Sequence, residues 1–404
     1  MGWLKRGMQL AGLSTMAMVA SSCACDRQVL IKPNPPLECL PQVNDIVSRV
    51  IEANGTLYVS GNFTRIGGKP RHGYAAVDAA SGEVLDSFIA DIDLDAKAGG
   101  MILAQGRLIG VGNYSHVNGV PRGGLVALDP LTGKVLDWGS PPLFSKDGKT
   151  VAGALELATD GTYAYVVGHF EYVGLKPRHH IAAFRLKDGS LVDPWAENPS
   201  MDGWVFTALC AEEKLFVGGS FCNLGKGEQH LRLAALDPAS GKAIPGWDVR
   251  LDTQAPDTGA YWMNSWGLAY HKGVLYVSGR FDDVNGQPRS NLAAVSASTG
   301  ALLAWSPAAE LNNDRLAVWG IASHGSSIYV IGDIKSLNGV SRSFGGAVDL
   351  SGAVLPFDPQ LDNKASWATL IGDRLYIGGN QASPQAGWTA YQADDLVPAC
   401  PGAW

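Results

Sequence analysis

Four aromatic residues recur at one strand position and are the side chains best suited to hold a ligand. They are Phe206, Trp266, Trp319 and Trp367. Tyr261 and Trp262 stand shortly before the second of them. Rings grouped at a concave surface stack on sugars or grip a peptide. The same rings also suit packing between strands, so the pattern predicts a ligand site and leaves a core role open.

Motifs for known catalytic centres are missing from the sequence. It has no Gly-x-Ser-x-Gly elbow, no phosphate loop and no His-Glu-x-x-His. Asp202, Asp257 and Tyr261 are polar candidates, but no spacing selects them. We therefore expect a binding or scaffold protein. The alternative is a carbohydrate-active enzyme, such as a polysaccharide lyase or glycosidase, which would need paired carboxylates or a Tyr/His pair.

Metal ligands are sparse. His179 and His180 are the one adjacent histidine pair, and His72 holds the same repeat position as His179. Two acidic turns, Asp282-Asp283-x-Asn285 and Asp91-x-Asp93-x-Asp95, offer oxygen ligands for Ca²⁺ without completing an EF-hand loop. We predict no metal or other cofactor, with Ca²⁺ at these turns as the alternative.

The first residues have the features of a targeting segment. Lys5 and Arg6 precede an apolar run, Met8–Ser22, that is short for a membrane span. It leads to Ala20-Ser21-Ser22-Cys23, which resembles a bacterial lipobox with Ala20 where Leu is usual. We predict a signal peptide over 1–22, lipidation of Cys23 and a tether over 23–43. The alternative is a secretory signal cut near Ser22 or Ala24, with a periplasmic or secreted product.

Six cysteines suit an exported protein in an oxidising compartment. Cys39 and Cys400 stand at the two ends of the main part of the chain, and Cys210 and Cys222 flank one predicted hairpin. Their positions predict disulfides Cys39–Cys400 and Cys210–Cys222. The net charge of −7, with 17% charged residues, argues against a nucleic-acid surface. Membrane contact is expected only through the lipid.

These residues are set in a sequence that repeats itself. A segment like Leu-Tyr-Val-x-Gly-x-Phe, followed by Val-Asn-Gly-x-Pro-Arg and Leu-Ala-Ala-Leu-Asp, recurs about every 50 residues. The copies begin at Leu57, Leu108, Ala164, Leu215, Leu275, Ile328 and Leu375. Short β-branched segments with Asn-Gly turns predict four antiparallel strands per copy. The fold predicted is all-β, a seven-bladed β-propeller over 44–404 with four-stranded blades.

Residues that recur in most copies are predicted to be structural. An aromatic near the end of each copy should fill the gap between blades: Phe88, Trp138, Trp195, Trp247, Trp305 and Phe357. A recurring arginine should donate to carbonyls or pair with a third-strand aspartate such as Asp78, Asp129 or Asp349. These arginines are Arg71, Arg122, Arg178, Arg289 and Arg342.

The repeat resembles that of the delta-60 repeat family of bacterial exported β-propellers. The resemblance covers the chain from about Asn44 to the end, although the copies at Leu215 and Leu375 depart from the turn motif. It implies a secreted or cell-surface location, including an outer-membrane lipoprotein, and no single activity. The partner expected is an envelope protein or a glycan.

Overall fold

A computed structural model describes residues 40–195, 201–224, 228–252, 265–313, 316–359, 361, 365–379 and 388–393. For Glu228, Gln229, Ser265 and Trp266 it describes the backbone alone. Five of the predicted cysteine and aromatic site residues lie outside the described residues, as does most of the predicted tether. They are Cys23, Cys39, Cys400 and the pair Tyr261 and Trp262.

Seven of the three-stranded antiparallel sheets in the described residues contain the long strands of the repeat, and we number these seven as blades in chain order. The first strands are Val47–Ala53, Ala98–Ala104, Ala154–Thr159, Val205–Ala211, Ser265–His271, Val318–His324 and Ala365–Ile371. The second strands are Thr56–Gly61, Arg107–Gly112, Tyr163–Gly168, Lys214–Gly219, Val274–Gly279, Ser327–Gly332 and Arg374–Gly379. The third strands are Tyr74–Asp78, Leu125–Leu128, Ile181–Arg185, Leu233–Leu236, Leu292–Ser296, Gly345–Asp349 and Trp388–Gln392.

The sheets are arranged in a ring. Each first strand contacts the first strand of the next blade, and the first strand of blade seven contacts that of blade one. The second strands are buried along almost their whole length because both of their faces are covered by neighbouring blades. The predicted all-β propeller is thus observed, with the first strands around a central channel. Within the described ranges, no helix is long and apolar enough to cross a membrane.

A small outer hairpin follows the second strand in six blades, and in three of them its turn is Asn-Gly. These hairpins are Arg65–Ile66 with Lys69–Pro70, His116–Val117 with Val120–Pro121, Tyr172–Val173 with Lys176–Pro177, Asn223–Leu224 with Glu228–Gln229, Asp283–Val284 with Gln287–Pro288, and Ile334–Leu337 with Val340–Ser341. Three of them gain a third strand from the preceding linker: Leu143–Phe144, Leu251–Asp252 and Ala309–Leu311. At Asn118 and Gly119, φ angles of 50° and 72° show the left-handed geometry that Asn-Gly adopts readily.

The predicted fourth strand is reduced to a single bridging residue in each of the first six blades. In blade five, for example, Leu302 alone pairs with Val295. The recurring arginine supplies hydrogen bonds that a longer fourth strand would otherwise have to make. The Arg289 guanidinium donates to the Leu303 and Pro288 carbonyls at 2.9 and 2.7 Å. The side chain therefore binds a carbonyl that a longer strand would otherwise have to pair, which confirms the predicted donor role.

The predicted pairing of these arginines with third-strand aspartates is wrong. Asp78 Oδ1 instead accepts from the backbone N–H and hydroxyl of Ser81, both at 2.8 Å. Asp129 makes the same two bonds with Thr132. An aspartate side chain often closes such a turn by accepting from N–H groups two or three residues on. These hydrogen bonds lower the pKa of both carboxyl groups.

The recurring aromatic near the end of each copy is buried between blades, as predicted. The indole N–H of Trp138 donates to the Leu186 carbonyl at 3.0 Å, and that of Trp247 donates to the Ala297 carbonyl at 3.1 Å. Each bond joins one blade to the next. Where the residue is phenylalanine, a second-strand tyrosine packs edge-on against it, as Tyr58 does on Phe88 at 5.8 Å. The rings therefore fill the gaps and also tie neighbouring blades together.

The ring closes between blade seven and the residues before blade one. Val43 bridges to Ile66 in the outer hairpin of blade one. Pro41 offers its carbonyl to the Trp388 indole N–H of blade seven at 3.1 Å. Val43, Trp388 and Tyr376 share one hydrophobic cluster. Whether Cys39–Cys400 adds a covalent closure beside this seam stays a prediction.

The predicted Cys210–Cys222 disulfide is wrong. Cys210 pairs with Leu215 at one end of a hairpin, whereas Cys222 follows Gly219 at its other end. A strand rises about 3.3 Å per residue, so the separation far exceeds the roughly 7 Å limit between bridged Cα atoms. The two sulfurs are not bonded to each other. Burial, with Asp160 nearby, raises the pKa of Cys210 to about 12, so its thiol is a poor nucleophile.

Candidate functional site

A β-bulge interrupts the first strand of all seven blades. In blade four, Val205 pairs with Gly219 and Thr207 with Gly218, so the strand register skips Phe206. A bulge re-aims the side chains around it. The extra residues, one per blade, form what we call the bulge ring: Ser48, Gly99, Leu155, Phe206, Trp266, Trp319 and Ser366. The residues just after them form the inner ring: Arg49, Gly100, Glu156, Thr207, Gly267, Gly320 and Trp367.

This register corrects one of the four predicted aromatic positions. Trp367 pairs with Gly378 and so belongs to the inner ring, one residue beyond Phe206, Trp266 and Trp319. A shift of one residue turns a strand side chain to the opposite face. Ser366, which is exposed, holds the bulge position in blade seven. The bulge ring therefore carries aromatic residues in three consecutive blades, four to six.

Trp367 is a packing residue. Only 5% of it is exposed, and it belongs to the cluster at the seam between blades seven and one. Its indole N–H donates to the Val47 carbonyl of blade one. A Cβ on Gly378 would lie 2.3 Å from its ring. Trp367 lines the channel cavity with only a small part of its surface, and most of its ring packs in the seam.

Phe206 belongs to an aromatic cluster that the sequence did not reveal. His169 stacks on Trp204 with ring centroids 4.1 Å apart, and Phe206 meets both rings edge-on at 6.0 and 6.3 Å. Phe206 is 8% exposed, whereas Trp204 and Trp319 are only half-buried. Trp204 stands two residues before Phe206, and His169 follows the second strand of blade three. One departure in the sequence could have indicated this cluster: His169 stands where blades one and two have Asn62 and Asn113.

His169 is held neutral. Burial, reinforced by the nearby charge of His180, lowers the pKa of His169 to about 4. Its Nε2 is buried without a hydrogen-bond partner in the described structure. His180 is also buried and its pKa is lowered, chiefly by burial, while Glu171 acts in the opposite direction. A neutral imidazole stacked on Trp204 forms an apolar, aromatic cluster with Phe206, which is the member that lines the channel cavity.

We expect the free energy of unfolding to fall as the pH drops from 6.5 toward 4. The unfolded chain binds a proton at His169 near pH 6.5 and the folded protein does so only near pH 4, so the unfolded state binds more protons in between. Urea titrations at several pH values should show this slope. His169→Asn should reduce the slope of stability against pH only in part, because His180, whose pKa is also lowered, still contributes to it. An unchanged slope in that variant would contradict the assignment.

A buried ion pair crosses the channel in the inner ring. Arg49 of blade one binds Glu156 of blade three. Their side chains are 27% and 11% exposed. Blade two, which lies between them, contributes only Gly100, and a Cβ there would lie 2.4 Å from Glu156 Oε1. The missing side chain is what lets the two charges meet. Burial lowers the pKa of Arg49 to about 10.

Gly100→Ala should disturb this pair. The added methyl must displace the Glu156 carboxylate or the strand that carries it, since it would also lie 2.9 Å from the Glu156 Cα. Overpacking of this kind costs about 1–3 kcal/mol of stability. Denaturant unfolding measures the loss. Gly153→Ala is the control, because its φ is not positive and an added Cβ would meet nothing nearer than the Asn113 Cβ at 3.8 Å. A neutral effect of Gly100→Ala would contradict the geometry.

The channel holds a cavity of about 460 Å³ lined by the first strands of six blades. Phe206 and Trp319 border it, together with the hydroxyls of Ser48, Thr207 and Ser366. Arg49 and Glu156 are the only charged residues in its described lining. The volume falls within the range of small-ligand sites, about 300–1,000 Å³. Its wall combines aromatic and aliphatic side chains with polar groups and one ion pair, an arrangement suited to an uncharged ligand.

Comparison with known proteins supports the fold. No family model matches the chain, and no curated protein matches it. Among solved structures, the WD40 domain of Neurospora crassa Pan2 is similar with a TM-score of 0.51 and 10% identity, over 83% of this chain and 86% of that one. The computationally designed Ika8 protein matches 89% of this chain and 99% of its own, with a TM-score of 0.51 and 8% identity. WD40 domains are β-propellers, and at such identity the likeness concerns the fold alone.

The remaining sequence candidates hold loops together. Asp202 Oδ1 accepts from the backbone N–H groups of Cys222 and Asn223 at 2.7 and 3.0 Å. Asp93 Oδ2 accepts from the N–H groups of Ser115 and His116. His179 Nδ1 pairs with Glu171. In the described ranges no three His, Cys, Asp or Glu side chains converge as a metal site would require. Asp257 lies outside the described residues.

Proposed function

We propose that this protein is an exported, lipid-anchored β-propeller that binds a glycan at the aromatic side of its channel. The observation that carries the proposal is the bulge ring. At the bulge, blades four to six carry aromatic residues, whereas the other blades carry Ser48, Gly99, Leu155 and Ser366. Phe206 of blade four also meets the His169–Trp204 stack edge-on. A purely structural ring would be expected to repeat in every blade. Aromatic faces flanked by hydroxyls suit sugar rings.

The envelope location rests on the sequence. The lipobox-like Ala20-Ser21-Ser22-Cys23 and the resemblance to the delta-60 repeat family support a lipoprotein at the bacterial envelope. Cys23→Ser should release the protein from the membrane fraction because the acylated residue is lost. Cys25→Ser is the matched control and should leave it bound. Mass spectrometry showing an unmodified mature N-terminus elsewhere would contradict lipidation.

The enzyme alternative finds no support in the described residues. Glu156, which lines the channel, is bound to Arg49, and Asp202, which lies outside that lining, accepts from backbone N–H groups. A glycosidase needs two free carboxyl groups that face each other across the bond to be cleaved. The described channel lining contains one carboxylate, Glu156, so it favours binding without hydrolysis.

Trp319→Ala should weaken glycan binding by about 1–3 kcal/mol, by analogy with other stacking contacts on aromatic side chains. Trp204→Ala should do the same. A glycan array with the wild-type protein identifies the ligand, and calorimetry then measures both variants. Leu131→Ala, at an exposed turn far from the channel, is the control. Binding to an envelope protein with no glycan bound would replace the proposed ligand, and unaffected binding by both tryptophan variants would refute the site.

A further inference from the structure

We propose that Arg49 is the donor that selects an uncharged, hydroxyl-rich glycan in the channel, and that Glu156 positions Arg49 and cancels its charge. The inference rests on the proposed function and specifies its ligand class. It assigns a binding role to two residues that the repeat pattern did not single out.

The channel contains more hydrogen-bond donors on Arg49 than acceptors to meet them. A guanidinium has five N–H groups, and in the described structure the pair with Glu156 is its one side-chain contact. Arg49 Nε is buried with no hydrogen-bond partner. Glu156 has no such deficit, because Oε1 accepts from the Leu157 N–H at 3.0 Å and Oε2 binds Arg49. Arg49 therefore needs acceptors that the described chain does not supply.

The charge of the site favours a neutral ligand. Arg49 and Glu156 are the two charged groups of the described lining, and they cancel. An acidic sugar would meet Glu156 beside the arginine and would gain little net attraction. A sugar hydroxyl can accept from Arg49 without that repulsion. The lowered pKa of Arg49 is consistent with a site shielded from water, where such a hydrogen bond is stronger.

The rings place the polar groups where a sugar could use them. The inner ring holds Arg49, Glu156 and Thr207, and the bulge ring one residue away holds Phe206 and Trp319. Gly100 keeps blade two from covering the pair. A sugar stacked on the aromatic rings would thus have the guanidinium within the same 460 Å³ cavity.

The test compares neutral and acidic glycans on one array. Wild-type protein should bind neutral glycans, and Arg49→Lys should weaken that binding at least tenfold because an ammonium cannot reproduce the planar donors. Glu156→Gln leaves Arg49 uncompensated and should shift the preference toward acidic glycans. The double variant Arg49→Met/Glu156→Met leaves no unpaired charge, so it should stay folded, and it should lose neutral-glycan binding. Thermal unfolding confirms that each variant is folded.

The outcomes separate this inference from the proposed function. If Trp319→Ala loses binding while Arg49→Lys and the double variant bind as the wild type does, the aromatic site stands and the role of Arg49 is refuted. Wild-type preference for acidic glycans would also refute it. If the folded wild-type protein binds no glycan of either kind, both proposals fall.

Discussion

Trp367→Ala should lower the free energy of unfolding by about 3–5 kcal/mol, the usual cost of truncating a buried tryptophan. The ring fills the seam where blade seven meets blade one and packs over Gly378. Its indole N–H also binds the Val47 carbonyl across that seam. The variant loses packing and leaves that carbonyl without its donor. Urea unfolding followed by circular dichroism measures the change.

Trp319→Ala is the matched comparison in the neighbouring blade. Its ring is half-buried and borders the channel, so truncation should cost about 1 kcal/mol of stability. The two tryptophans had the same role in the sequence pattern, and the bulge register separates them. Equal, small losses of stability in both variants would indicate that the Trp367 ring is exposed to the channel and does not pack in the seam. Equal, large losses would make both rings core and would remove Trp319 from the proposed binding site.

Glu156→Ala should destabilise the protein by about 3 kcal/mol, because it leaves the Arg49 charge partly buried without its partner. This is near the lower end for a broken buried pair, since about a quarter of the Arg49 side chain is open to the channel. Arg49→Met/Glu156→Met removes both charges and should unfold near the wild-type value. Replacing a whole buried pair by apolar residues is often neutral or stabilising.

Denaturant titrations of Arg49→Met, Glu156→Met and the double variant, together with the wild type, form the complete double-mutant cycle. A coupling energy near zero would mean that Arg49 and Glu156 do not interact, and it would contradict the structure. The Gly100→Ala variant provides an independent check, because its methyl group presses on the same carboxylate. Its effect should shrink when Glu156 is already alanine.

The sequence by itself determined the all-β fold and the residues that hold each blade together. Asn-Gly turns, alternating apolar residues and the Pro-Arg pair act over a few neighbours, so their effect can be read from the spacing. Trp138 and Trp247 were correctly predicted as packing residues because they recur in nearly every copy. The aspartate at the end of the third strand was misread, since the turn that it closes competes for the same carboxylate.

The tertiary structure decided which side chains reach the channel. One extra residue in each first strand changes the direction of the neighbouring side chains. Neither the composition nor the repeat period of the sequence predicts where such a bulge occurs. Trp319 and Trp367 therefore look alike in sequence and both line the cavity, yet Trp319 is only half-buried there whereas Trp367 is buried in the seam between blades seven and one. Arg49 and Glu156 are more than 100 positions apart along the chain, and they meet because Gly100 leaves room between their blades. The arrangement of the blades in a ring brings such distant residues together, and the repeat pattern does not predict these contacts.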